Sequence, residues 1–76
     1  MEKYEIQQFS SKNNLDVREI QFNHWRLLDE YGDFVLDVYF KQNKRGEIIK
    51  NSVLQWKTKK WFYPIDLEQL EKLLTV

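Results

Sequence analysis

Residues 34–40 read FVLDVYF, and the alternation within that stretch decides the fold. Phe34, Leu36, Val38 and Phe40 fall on one side of an extended chain, and Val35, Asp37 and Tyr39 on the other. A period of two is that of a strand with one buried face, and the first set is the expected core face. Just upstream, EYGD (residues 30–33) sets a glycine among polar residues and reads as a hairpin connection. The hairpin pairs 34–40 with a preceding strand over about residues 25–30. Further back, Ile20 and Phe22 alternate, yet continuing their phase would bury His24 and Arg26 and expose Trp25 and Leu27. The pattern therefore requires a bulge or tight bend near Asn23-His24.

Downstream, KQNKRGE (41–47) is a polar loop containing Gly46, followed by a strand over about 48–57 and a short one over 61–63 that stops before Pro64. In PIDLEQLEKLLTV, Asp66 stands as N-cap with Gln69 three residues on, a capping-box spacing. Ile65 and Leu70 are placed for a hydrophobic staple, and Glu68 for a pair with Lys72. Leu67, Leu70, Leu73 and Leu74 share one face of a helix of about three turns at most, too short to persist without packing on a sheet. Tyr4, Ile6 and Phe9, ahead of the polar SSKNN, give a first helix over about residues 3–13. The expected architecture is α+β: an antiparallel meander of four or five strands, covered on one face by the C-terminal helix and by the N-terminal one.

At 76 residues the chain reads as a single domain, 1–76, of a size at which folding buries only about 60 % of the surface. A deep, enclosed cleft is not expected. The absence of cysteine excludes disulfides and thiolate zinc sites. Three Trp, four Tyr and five Phe supply a core, but so small a domain cannot hide them all, and rings left on the surface favour a binding protein. Twelve basic residues balance twelve acidic ones, unevenly. Residues 41–60 hold Lys41, Lys44, Arg45, Lys50, Lys57, Lys59 and Lys60 against Glu47 alone, a net +6, while 1–40 carry −4 and 61–76 carry −2. The molecule is expected to be an electrostatic dipole. MEKYEIQQFS lacks the apolar run of a secretory signal, and no apolar run reaches the 18 or so residues of a membrane span, so a cytoplasmic protein with no membrane segment is expected.

LQWKTKKWFYP (54–64) is the most distinctive stretch. If 58–60 form a turn, Leu54 and Trp56 oppose Trp61 and Tyr63 as cross-strand pairs, and the lysines are a solvated corner. Alternatively, one or two rings face outward with lysines beside them, the composition of a platform for single-stranded nucleic acid. His24 is the only histidine and lacks a second His or Cys to complete a metal set, so it reads as a bend residue with an ordinary hydrogen bond. Asp29, Glu30, Asp33 and Asp37 match no calcium loop. They are either a charged hairpin tip or a protein-facing acidic patch able to compete for a basic channel on a partner. Ser10, Ser11 and Thr58 have no adjacent base, and Gly32 and Gly46 form no phosphate loop. No enzyme activity, metal or cofactor is expected.

The segments HWRL (24–27) and LDVY (36–39), followed by the lysine-rich stretch and a terminal aromatic strand, resemble small proteins of phages and other mobile elements, some of which are anti-CRISPR inhibitors of bacterial defence nucleases. The resemblance spans about residues 20–63, identifies no single family and carries over no functional residue. It implies a small inhibitor that acts by occupying a larger host protein. The leading expectation is therefore a non-catalytic protein-binding module, with Trp25, Tyr39, Trp56 and Trp61 as anchors and Asp29, Glu30, Asp33 and Asp37 as an acidic rim. The alternative is direct nucleic-acid binding through Lys44, Arg45, Lys50, Lys57, Lys59 and Lys60 with Trp56 and Trp61, against which the zero net charge argues. An exposed sheet edge leaves a homodimer open beside a monomer.

Overall fold

A computed structural model of the chain describes residues 1–75. Its elements run α1 (Lys3–Lys12), β1 (Asp16–Gln21), β2 (His24–Leu28), β3 (Phe34–Gln42), β4 (Ile48–Gln55), β5 (Lys60–Phe62) and α2 (Leu67–Lys72). The strands form one antiparallel sheet in sequence order, β1-β2-β3-β4-β5, each joined to the next by a short turn. Both helices cover the same face. Ile6 and Phe9 of α1, and Leu70 and Leu73 at α2, pack in one cluster with Trp25, Leu27, Leu36, Val38, Phe40 and Val53 of the sheet. This is the α+β two-layer arrangement that the alternation in 34–40 implies, with five strands. Among the described residues no helix is long and apolar enough to cross a membrane.

The bend required near Asn23-His24 is a tight turn at Phe22-Asn23, where Asn23 takes a left-handed conformation at φ 61° that asparagine tolerates better than most residues. The turn resets the phase, so Trp25 and Leu27 face the helices while His24 and Arg26 face away. Phe34 departs from its expected place. The register slips between the Leu27–Leu36 and Leu28–Phe34 pairs, leaving Val35 as an extra residue. That bulge carries Phe34 out of the core to the helix-free face, where it is 46 % exposed, and lets Val35 pack inward instead.

The C-terminal helix is shorter than its leucine spacing suggests. Asp66 caps it by accepting the Gln69 backbone N–H at 2.9 Å, and the Gln69 side chain reaches back to the Ile65 N–H, also at 2.9 Å. Ile65 points into solvent after Pro64, so it forms no staple with the buried Leu70. Glu71, not Glu68, carries the helix's ion pair, meeting Lys12 of α1 at 2.8 Å. Packing holds this short element, reinforced by Gln55, a buried residue whose amide donates to the Leu73 carbonyl and whose oxygen accepts the Thr58 hydroxyl. The sheet edges are protected. β5 is only three residues long and is followed by Pro64, and β1 is charged and irregular in register, features that blunt strand addition and edge-paired dimers.

Candidate binding face on the open side of the sheet

Alternation along the strands sends every second side chain away from the helices. Arg18, Arg26, Asp37, Leu54 and Trp61 form one row across all five strands, and His24, Tyr39 and Ser52 lie in the next. At the centre of this open face sits Asp37, which is only 1 % exposed. Its Oδ1 accepts Arg26 Nε at 2.9 Å and the Trp56 indole N–H at 2.8 Å, and its Oδ2 accepts Arg26 Nη2 at 3.1 Å and His24 Nε2 at 2.8 Å. Burial opposes ionisation of Asp37, but the hydrogen bonds from Arg26, Trp56 and His24 outweigh it and hold the carboxyl below its usual range. The bond to Asp37 likewise raises Arg26 above the ordinary guanidinium value.

Two aromatic wings rest on this carboxylate. On one side the Arg26 guanidinium lies 4.1 Å from the Phe34 ring centroid, and Phe34 leans on Trp56 at 5.2 Å. On the other, His24 stacks on Tyr39 at 4.0 Å and 16°, and Tyr39 leans on Trp61 at 5.5 Å. Arg26 and His24 shield the carboxylate from water, and the rings shield them. Phe34, Trp61 at 49 % and Tyr63 at 58 % remain exposed on the outer surface. Lysines are interleaved with them: Lys59 Nζ sits 3.9 Å from the Trp56 centroid, Lys50 Nζ 4.5 Å from that of Tyr63, and Lys41 pairs with Lys50 across β3 and β4.

The structure redistributes the residues singled out from sequence. Trp25 is a core residue, 6 % exposed, with its ring edge-on to Phe40 beneath α1, and offers no surface anchor. Asp37 is enclosed and fully hydrogen-bonded, so it adds no charge to an acidic rim. Tyr39 and Trp56 are half-buried and Trp61 is exposed, all three on the open face. Leu54 does oppose Trp61, but the turn begins at Trp56, whose indole folds back over Asp37 instead of pairing with Tyr63. Asp29, Glu30 and Asp33 gather in the β2–β3 turn, where Asp29 Oδ1 accepts the backbone N–H groups of Tyr31 and Asp33 at 2.9 Å and so organises the turn itself. That turn faces the lysine turn across a cleft lined by Asp33, Phe34, Trp56, Lys57 and Lys59. Lys44 and Arg45 lie at the opposite end, in the β3–β4 turn, and Lys60 pairs with Gln55, on the side of the sheet facing the helices.

Arg26, Phe34 and Tyr63 also belong to the face, although the sequence gives them no site role: Phe34 reads there as core and Tyr63 as a cross-strand partner. Among the described residues no group of three His, Asp or Glu is placed to hold a metal ion. Comparison with protein-family models, with curated proteins and with solved structures finds no match to this chain.

Proposed function

We propose that the protein is a non-catalytic module that binds nucleic acid on the helix-free face of its sheet. One observation carries this: the exposed rings Phe34, Trp61 and Tyr63 share that face with Lys41, Lys50 and Lys59, while the carboxylate among them, Asp37, is cancelled by Arg26. Rings that stack on bases and cations that neutralise phosphates are the two components of a sequence-tolerant nucleic-acid surface. Zero net charge weighs less once the acidic residues are located, since none lies on β4 or β5, although Asp33 of the β2–β3 turn faces Lys57 and Lys59 across the cleft.

Lys59 adds support. It occupies a left-handed conformation, φ 60°, that glycine would adopt with less strain, and its ammonium lies over the Trp56 ring, 3.9 Å from the centroid. The test is titration of labelled DNA and RNA at about 50 and 200 mM salt, with the combined Lys41→Glu, Lys50→Glu and Lys59→Glu variant as control. Binding that weakens with salt and is lost in the variant is expected. No binding at the lower salt would refute the proposal.

A second reading draws on the acidic tip, where Asp29, Glu30 and Asp33 surround Tyr31, which is 82 % exposed. In it the tip occupies a basic channel of a larger host protein, as a mobile-element inhibitor of the anti-CRISPR kind would. It predicts no nucleic-acid affinity, and inhibition abolished by Asp29→Lys with Asp33→Lys.

A further inference from the structure

We infer that the open face takes a single strand, DNA or RNA, over a footprint of about three to four nucleotides, and rejects a duplex; this rests on the nucleic-acid reading above. Stacking on Phe34, Trp61 and Tyr63 requires bases with a free flat surface, which a paired and stacked duplex does not offer.

The footprint follows from strand geometry. Trp61 and Tyr63, two positions apart at β5, project about 6.6 Å apart, close to two base-stacking spacings of about 3.4 Å, so a base can sit beside each ring. Lysines stand at both ends of the path. Lys57 and Lys59 are in the turn following β4, and Lys50, with Lys41 opposite it, lies six residues before Trp56, a backbone separation of about 20 Å at strand rise. Bases interleaved with rings occupy about 7 Å each, which gives that path room for about three. The phosphates then fall near the lysines, and about three neutralised phosphates give a slope of log affinity against log salt near −2.

The experiment is a tryptophan-fluorescence titration with oligothymidylates and oligouridylates of two to eight nucleotides and with a mixed-sequence duplex, at several salt concentrations. Trp56 and Trp61 on the face report stacking. Affinity is expected to rise steeply to about four nucleotides and then flatten, to exceed that for duplex at least tenfold, and to fall with a salt slope near −2. The deoxy and ribo series decide which strand is preferred. Trp61→Ala, checked for folding by circular dichroism, is expected to weaken the four-nucleotide ligand roughly tenfold or more. Equal affinity for duplex, or gains continuing in equal steps through eight nucleotides, would overturn the inference and leave nucleic-acid binding standing. No response to strand or duplex would remove both.

Discussion

Replacing Asp37 by asparagine tests whether the centre of the open face is a buried ion pair or an ordinary surface one. The substitution keeps the side chain's volume and shape, so it isolates charge. In the native arrangement four donors converge on two carboxylate oxygens. An amide can still present its oxygen to Trp56 and Arg26 Nε, but its NH2 then confronts Arg26 Nη2, donor against donor, and meets His24 Nε2, which must change tautomer to accept. Breaking one partner of a buried pair costs about 3–5 kcal/mol. Arg26, with 22 % of its side chain exposed, can turn partly to water, so the lower end, about 3 kcal/mol, applies. A 76-residue domain has about 4–11 kcal/mol of stability in all, and a loss of that size lowers Tm by roughly 12–24 °C.

Urea denaturation followed by circular dichroism gives the number directly. A loss below about 1 kcal/mol, typical of exposed pairs, would refute the assignment. The double variant Asp37→Leu with Arg26→Met separates unpaired charge from lost packing: if the charge is the cause, most of the stability returns. The pH dependence has a definite sign. Because the folded-state pKa of Asp37 is depressed, its contribution is whole above the unfolded value of about 3.9 and is lost as pH falls through the folded one. The gap between wild type and Asp37→Asn should therefore narrow below about pH 4.

Trp61→Ala should separate binding from folding: it removes a half-exposed ring, lowering stability by no more than about 1.5 kcal/mol while weakening single-strand binding by about 1–3 kcal/mol, as read by denaturation and fluorescence titration. Lys59→Gly relieves about 1 kcal/mol of left-handed strain but loses a cation–π contact of similar size, so stability should stay within about 1 kcal/mol of wild type while affinity and the salt slope both fall. Gln55→Leu strands the Leu73 carbonyl and the Thr58 hydroxyl, and should cost about 1–3 kcal/mol and speed amide hydrogen exchange across α2, where unchanged exchange would count against the role given to Gln55.

The parts of the fold set by local alternation were legible in the sequence, while those set by one-residue irregularities were not. FVLDVYF announces a strand, and the conflict of phase around His24 demands a turn there. Counting outward from Tyr31-Gly32 sets Arg26 opposite Asp37 and His24 opposite Tyr39, so the ion pair was in principle readable as opposite charges facing each other across the hairpin. Phe34 was not, because no composition signal marks Val35 as the extra residue of a bulge. Trp56 looked like a strand residue facing Tyr63. The turn starting at that position sends its indole over Asp37, an outcome that depends on a hydrogen bond between side chains 19 residues apart. The helix at the C-terminus shows the converse limit: its leucine spacing suits three turns, but the bond that anchors its C-terminal end, Gln55 on the Leu73 carbonyl, is tertiary.

The enclosed carboxylate also bears on how the face would bind. A bare aspartate among base-stacking rings would repel phosphate. With Arg26 paired to it the centre is neutral, and the surrounding Lys41, Lys50 and Lys59 set the local sign. The same four hydrogen bonds fix Trp56 directly and Phe34, Tyr39 and Trp61 through Arg26 and His24. Rings already held in place would lose little freedom if a ligand arrived, which would matter for a domain this small, whose affinity would depend on a few exposed contacts. A structural role for Asp37 and a binding role for the rings above it are thus not competing accounts, because the ordering of an uncovered sheet face is what makes it usable as a surface.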